Sequence, residues 1–402
     1  MKKVAIIGAG AAGIIAALKA SEKNEVILIE GNDKCGKKIL LTGNGRCNYW
    51  NSYISLEQYE TDNIDVLKKV LTEENKNDTL NFLDSLGIYP KIKNGYYYPY
   101  SNQAASVREI FEKEIKKRKI DFRTGNRVID ITKKGDIFTI TLENKEVINA
   151  NKVVIATGSK AYPKTGSDGM GYEFAKKFGH KVNFVTPALT QLIAHEKYLK
   201  DWENVRCDAN ISLIINDRKV KEDLGEIQLT SKGISGICTF NVSGLASKNL
   251  ALGNKVEVII KFLPHVKNDL YSWIEERANL MNDKTIEELL ESIFNYKLMF
   301  VLFKLANVSK DKKWNELSEK SKKVLCDKIE NFKLNITDIE SFDKAQVCTG
   351  GVSLGEINPD IFESNIVPNL YFAGEILDVD GKCGGFNLAF AWISGYLAGR
   401  GV

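Results

Sequence analysis

Residues 4 to 30 read VAIIGAGAAGIIAALKASEKNEVILIE, and no other stretch limits the possible folds so sharply. An apolar run (Val4 to Ile7) leads into Gly8, Gly10 and Gly13 in GxGxxG spacing, and an Ala-rich helical stretch follows. A second apolar run then closes on Glu30. The pattern predicts a βαβ unit that holds a dinucleotide. Gly8 permits the tight turn off the strand, Gly10 lets the backbone approach a pyrophosphate, and Gly13 lets the helix pack against the sheet. The helix N-terminus offers unpaired N–H groups to the phosphates. Glu30, about 20 residues beyond the glycines, is placed to accept hydrogen bonds from an unphosphorylated ribose. A glycine-rich turn arising by chance would not bring strand, helix and acid together in this order. The motif alone leaves FAD and NAD both open.

The chain has 402 residues, 44% hydrophobic and 27% charged, as expected of a globular protein large enough for two or three domains. The first strand starts too early to leave room for a signal peptide, and no apolar run approaches membrane-spanning length, which predicts a cytoplasmic protein with no membrane partner. Seven cysteines are scattered without a CxxC pair, so neither a disulfide framework nor a zinc site is expected. Three distant histidines (His180, His195, His265) offer no metal cluster and no triad, and read as surface or packing residues. The formal charge of +4, from 56 basic and 52 acidic residues, permits an anionic substrate without requiring one.

Along the chain the pattern is interrupted. A helical stretch is expected from Leu56 to Leu86 and a helix from Ala104 to Lys119, with a Tyr-rich segment between them. The runs Asp121–Arg123, Arg127–Lys133 and Ile137–Glu143 read as a small β-meander. Lys152–Ile155 reads as a buried strand ending in Ala156-Thr157-Gly158. From Thr186 to Pro264 the alternation is β-like, from Val266 to Phe332 it is helical, and after Gln346 apolar runs and glycines resume. The expected organisation is a nucleotide-binding domain from residues 1–185 and 346–402, interrupted by a β-rich domain (186–265 and 333–345) and a helical one (266–332).

Two further segments suit a flavin. In LLTGNGRCN, Gly43 and Gly45 flank Asn44, giving a loop of exposed N–H groups beside the cation Arg46. In the C-terminal segment, Gly374-Glu375 ends an apolar strand, and Gly381, Gly384 and Gly385 precede a helix starting near Asn387. Such a helix N-terminus favours negative charge on a reduced flavin. Cys47 and Cys383 are the candidate proton donors, although a buried thiol is more often a small hydrophobe. The TGSDGMG loop (Thr165 to Gly171) offers backbone donors but is not a second GxGxxG, so NAD(P)H is expected to visit as a transient electron donor.

The ordered set GAGAAG, GKKILLTGNGRCNYWN, ATGS, TGSDGMGY, GEIQLTSKGISG, TGGVSLGEINP and YFAGEILDVDGKCGGFN resembles the BaiN/RdsA family of NAD(P)/FAD-dependent oxidoreductases, also labelled aminoacetone oxidase family FAD-binding enzymes. The resemblance implies an α/β fold with an FAD-binding Rossmann-like domain of the glutathione reductase type, carrying inserted β-rich and helical domains. It implies FAD contacts from Gly8, Gly10, Ala11, Ala12, Gly13, Glu30, Lys38, Thr42, Gly43, Asn44, Gly45, Arg46, Cys47 and Asn48. Further contacts are implied from Val128, Ala156, Thr157, Gly158, Gly374, Glu375, Asp380, Gly384, Gly385, Phe386, Asn387 and Leu388. The implied reaction passes hydride from NAD(P)H through the flavin to an unsaturated acceptor, either a uridine of 23S ribosomal RNA or a small enone. An amine or small-molecule oxidase and a flavin-containing RNA-binding protein without turnover stand as alternatives. Ser231, Cys238 and Ala389 replace the His, Pro and Gln usual in the family, which leaves the acceptor's identity open.

Overall fold

The computed structural model describes residues 2–267 and 269–402. They divide into two units, one formed by residues 1–186 and 342–402 and the other by residues 187–341.

The first unit is built on a five-stranded parallel sheet. Strand β1 (Lys3–Ile7) is followed by helix α1 (Ala11–Ala20) and strand β2 (Glu25–Ile29). Strands β3 (Asp121–Arg123), β4 (Lys152–Ile155) and β5 (Leu370–Phe372) complete a sheet of order β5-β4-β1-β2-β3. Four of β1's five residues are fully buried, as expected for a strand covered on both faces. Helix α2 (Phe386–Gly401) is buried along most of its length and lies beside α1.

Contact between these two helices is backbone-close. A Cβ on Gly395 would meet the Ala12 carbonyl at 2.4 Å, and one on Gly399 would meet that of Ala16 at 2.6 Å. Only glycine fits there.

Strand β3 departs from the sequence expectation. Residues Asp121–Arg123 pair in parallel with β2 rather than opening the meander, because the helix Ala104–Lys117 carries the chain back to the sheet edge as a crossover. The meander's third strand is Val147–Ala150, beyond Val128–Lys134 and Ile137–Leu142. The stretch 56–86 holds two helices, Ile64–Val70 and Glu73–Ser85, each started by its own side-chain cap, Asn63 and Thr72. The Tyr-rich segment forms a hairpin, Pro90–Lys93 with Tyr96–Pro99, and Trp50–Asn51 adds a third strand.

The second unit carries a seven-stranded sheet centred on the long hairpin Arg206–Ile215 and Arg218–Thr230. A helix, Ile237–Ala251, falls within the region of β-like alternation and packs on this sheet. Helices Leu270–Leu280, Ile286–Leu290, Tyr296–Ala306 and Glu319–Glu330 follow, and they share one hydrophobic core with the sheet.

Candidate functional site

The glycine turn after β1 is locked by contact. Gly8 sits at φ +98°, and a Cβ on Gly13 would fall 1.9 Å from the Gly8 carbonyl oxygen. Gly10 is different: its φ is −82°, and a Cβ there would meet nothing within 4 Å. The space beside Gly10 is open, at the N-terminus of a helix that no side chain caps. Ala11 and Ala12 form the first turn of α1, so their N–H groups border the same opening. This is a cradle that a side chain would fill, and a pyrophosphate fits it.

Glu30 ends β2, and its carboxylate is already engaged by the protein. One oxygen accepts from the Ala9 N–H at 2.8 Å, and the other accepts from the Asn32 N–H at 2.9 Å and the Asn32 amide at 2.7 Å. A carboxylate has about four acceptor positions, so roughly one remains for a ribose hydroxyl. Asn32, which the sequence reading passed over, holds the acid in place and also donates to the Thr165 carbonyl at 2.9 Å. Val128 is buried at the start of the meander, beside a bulge that shifts its register against Leu142.

At the carboxyl ends of β4 and β5 lie two further loops. Ala156, Thr157 and Gly158 leave β4, and the Thr157 hydroxyl is buried with no hydrogen-bond partner. That oxygen faces Gly171, where a Cβ would lie 2.0 Å from it. Gly374 and Glu375 leave β5, and Glu375 pairs with Lys38 at 2.5 Å and with the Ser159 hydroxyl at 3.4 Å. Lys38 therefore neutralises an acid of its own site, and Ser159 is a second member that the sequence reading missed.

The loop after Thr42 runs through four left-handed residues: Gly43 (φ +57°), Asn44 (+54°), Gly45 (+80°) and Cys47 (+59°). The turn uses several of its own donors: the Gly45 and Cys47 N–H groups donate to the Thr42 carbonyl at 3.1 and 3.0 Å, and the Arg46 N–H donates to the Gly43 carbonyl at 3.3 Å. Cys47 is fully buried, and burial pushes its thiol up to about 12. It has no surface through which to reach a substrate. Cys383 is partly exposed on the loop before α2.

The start of α2 is built like that of α1. Its cap residue, Gly385 at φ +93°, supplies no side chain, and a Cβ there would meet the Trp50 carbonyl at 2.7 Å. Phe386 and Leu388 open the helix. Asn387 closes the loop on itself, accepting from the Gly381 N–H at 2.8 Å and donating to the Gly381 carbonyl at 2.7 Å. Asn51 donates to the Gly384 carbonyl at 2.8 Å, and the Asn48 amide reaches the Tyr97 and Trp50 carbonyls at 3.1 and 3.2 Å. Asp380 is buried in the short strand ahead of this loop. Asn51 carries no local signal in the sequence, since its partner is 333 residues away.

A 3-2-1-4-5 parallel sheet with an open cradle at its first helix N-terminus defines a dinucleotide-binding Rossmann protein. The HI0933-like protein Rossmann domain family matches residues 2–401, and the chain belongs to that family. It is 38% identical to a 3-dehydro-bile acid delta(4,6)-reductase of Clostridium scindens, over 100% of this chain and 98% of that protein. It is 28% identical to a ribosomal RNA dihydrouridine synthase of Escherichia coli, over 97% and 95% of the two chains. Among solved structures, a flavocytochrome c3 fumarate reductase matches with a TM-score of 0.51 at 16% identity, covering 100% of this chain and 78% of that one, which shows a shared fold. Among the described residues, no helix is long and apolar enough to cross a membrane.

Proposed function

We propose that the protein is an FAD-dependent oxidoreductase that takes hydride from NAD(P)H and reduces a carbon–carbon double bond conjugated to a carbonyl. The open cradle at Gly10, with donors at the α1 N-terminus and Glu30 across from it, carries the FAD assignment. FAD supplies a carrier that accepts hydride from a nicotinamide and donates it to an electron-poor carbon.

The chain's own groups do the rest. With FAD bound, the α1 N-terminus would hold the pyrophosphate and Glu30 would orient the ribose. The α2 N-terminus at Gly385, which no side chain caps, would favour negative charge on a reduced flavin held there. Cys47, buried with its thiol held protonated, packs under the loop. Cys383 is then the thiol an acceptor can reach, and it protonates the carbon next to the carbonyl. The expected partners are NAD(P)H and a small acceptor.

Full-length identity of 38% to a bile acid reductase, against 28% to an rRNA dihydrouridine synthase, favours the small enone over a uridine. Both acceptors present a carbon–carbon double bond conjugated to a carbonyl. Anaerobic mixing tests this. NADH or NADPH should bleach the flavin band, and a steroid 4,6-dien-3-one should restore it faster than 23S rRNA or oxygen does. Bleaching only by an amine with oxygen uptake would show an oxidase instead, and no bleaching by any donor would leave a structural flavin. In the same assay Cys383→Ser should slow reoxidation by the enone about 10²- to 10⁴-fold. Cys47→Ser should not, and the reverse outcome would move the proton donor to Cys47.

A further inference from the structure

We propose that Tyr96 is a catalytic residue: its phenol donates a hydrogen bond to the carbonyl oxygen of the acceptor and stabilises the negative charge that hydride addition puts there. The proposal rests on the reductase reading above and adds a residue to the same site.

Hydride delivered to the far carbon of an enone drives the electron pair of the double bond toward the carbonyl, leaving an enolate with its charge on oxygen. A proton on the carbon beside the carbonyl completes the reduction. The Cys383 thiol gives that proton and regains one from water, so the charged oxygen, one carbon further along, comes close to the same thiol. A donor fixed there in advance is the kind of group that contributes most to such a step. It must stand beside Cys383.

Tyr96 stands there. A Cβ on Gly384, the residue after Cys383, would lie 2.9 Å from Tyr96 Cε1, the ring carbon next to the one that bears the hydroxyl. The hydroxyl end of the ring is therefore the end that meets the loop. Tyr96 is in register with Asn51 on one side and Lys93 on the other, which fixes its place in the middle strand of the small sheet. Directly opposed residues present their side chains on one face, and from that face the Asn51 amide donates to the Gly384 carbonyl at 2.8 Å. Tyr96 and Asn51 thus meet the same glycine.

Neighbouring tyrosines are committed elsewhere. Tyr59 is buried and donates its hydroxyl to the Phe386 carbonyl at 3.0 Å. Tyr97 packs edge-on against the buried Tyr49, with ring centres 6.1 Å apart, and the Tyr98 ring lies 5.0 Å from the Arg46 guanidinium. Tyr96 is half-buried, so its ring is packed and one side remains open to a ligand. A phenol also suits the task better than a carboxylate, because it keeps its proton at neutral pH and donates to an oxyanion instead of repelling it.

The test is binding of 4-chlorophenol to the oxidised holoenzyme, a reading that does not depend on turnover. Its phenolate imitates the enolate oxygen, and stacked on an oxidised flavin it gives a long-wavelength charge-transfer band. In the wild type this band should appear at a lower pH than phenolate forms in free solution, because a donor aimed at the oxygen favours the anion. Tyr96→Phe, which keeps the ring against Gly384, should weaken phenolate binding about 10- to 100-fold and move that pH upward, with flavin content unchanged. Tyr98→Phe should change neither. With a steroid 4,6-dien-3-one, Tyr96→Phe should slow reoxidation of the reduced flavin about 10²- to 10³-fold.

Phenolate binding and pH dependence unaltered in Tyr96→Phe, or no phenolate band in the wild type, overturns the proposal. Loss of flavin from Tyr96→Phe assigns the tyrosine to the cofactor and also overturns it, as does an equal change in Tyr98→Phe. Failure of the reductase reading would appear separately, as a phenolate that binds through Tyr96 while the dienone leaves the wild-type reduced flavin unoxidised.

Discussion

The two glycines of the first turn make opposite demands, and substitution separates them. Gly10 has an ordinary φ and open space where its Cβ would be, so Gly10→Val should fold with a wild-type circular-dichroism spectrum and purify colourless. Gly13→Val should not accumulate as folded protein, because its Cβ would overlap the Gly8 carbonyl. A yellow Gly10→Val protein with stoichiometric flavin would place the dinucleotide elsewhere. His180 gives a pH prediction. Its ring is buried between Glu356, 3.0 Å from Nδ1, and Ser364, 2.8 Å from Nε2, and burial outweighs the carboxylate to lower its pKa. The fold prefers the neutral imidazole. Its stabilising contribution is therefore present above the unfolded value near 6.5 and is lost as pH falls through the folded one. Denaturant midpoints should drop between pH 7 and 5, and less steeply in His180→Gln; parallel pH profiles for the two proteins would remove His180 as the cause. GxGxxG and Glu30 were legible in the sequence because their partners lie within thirty residues. Ser159 and Asn51 were not, since each acts through a hydrogen bond whose distant partner only the fold supplies, and Asn32, though its acid is two residues away, is fixed on it by a further bond to Thr165.

At the scale of elements, α1 and α2 show how a parallel sheet can be covered by helices too close for side chains. The Ala and Gly residues at their contact were readable as helix-forming apolar runs, but not as an interface, because periodicity reports which face is buried and not how near the neighbour stands. Gly395→Ala should destabilise the protein by about 1–3 kcal/mol, since its new methyl group must displace the Ala12 backbone 2.4 Å away. A Gly395→Ala variant as stable as wild type in urea would show that the helices part at little cost. The misread strand β3 teaches a similar lesson. Three residues alternate too briefly to reveal whether they join a meander or a parallel edge, and the crossover helix before them decides it.

For the whole molecule, the two large hydrophobic cores belong to the two units separately. The cofactor cradle lies entirely in the first. Saturating FAD at 100 times its dissociation constant should raise the stability of that unit by about 2.7 kcal/mol. Calorimetry should show one transition that climbs with added FAD and one that does not; a single transition shifting as a whole would show that the units unfold together. The chain leaves the first unit near residue 186 and re-enters it near 342, so β4 must wait for β5, whose Leu370 pairs with Val153. At roughly 5–20 residues per second, a ribosome that has finished β4 needs ten seconds or more to deliver its partner. Until then the edge of β4 and the buried face of α1 stay uncovered, while the second unit, contiguous in the chain, can finish folding. Newly made molecules should therefore acquire their flavin only after release of the complete chain, and products stopped before α2 should be captured by chaperones without colour.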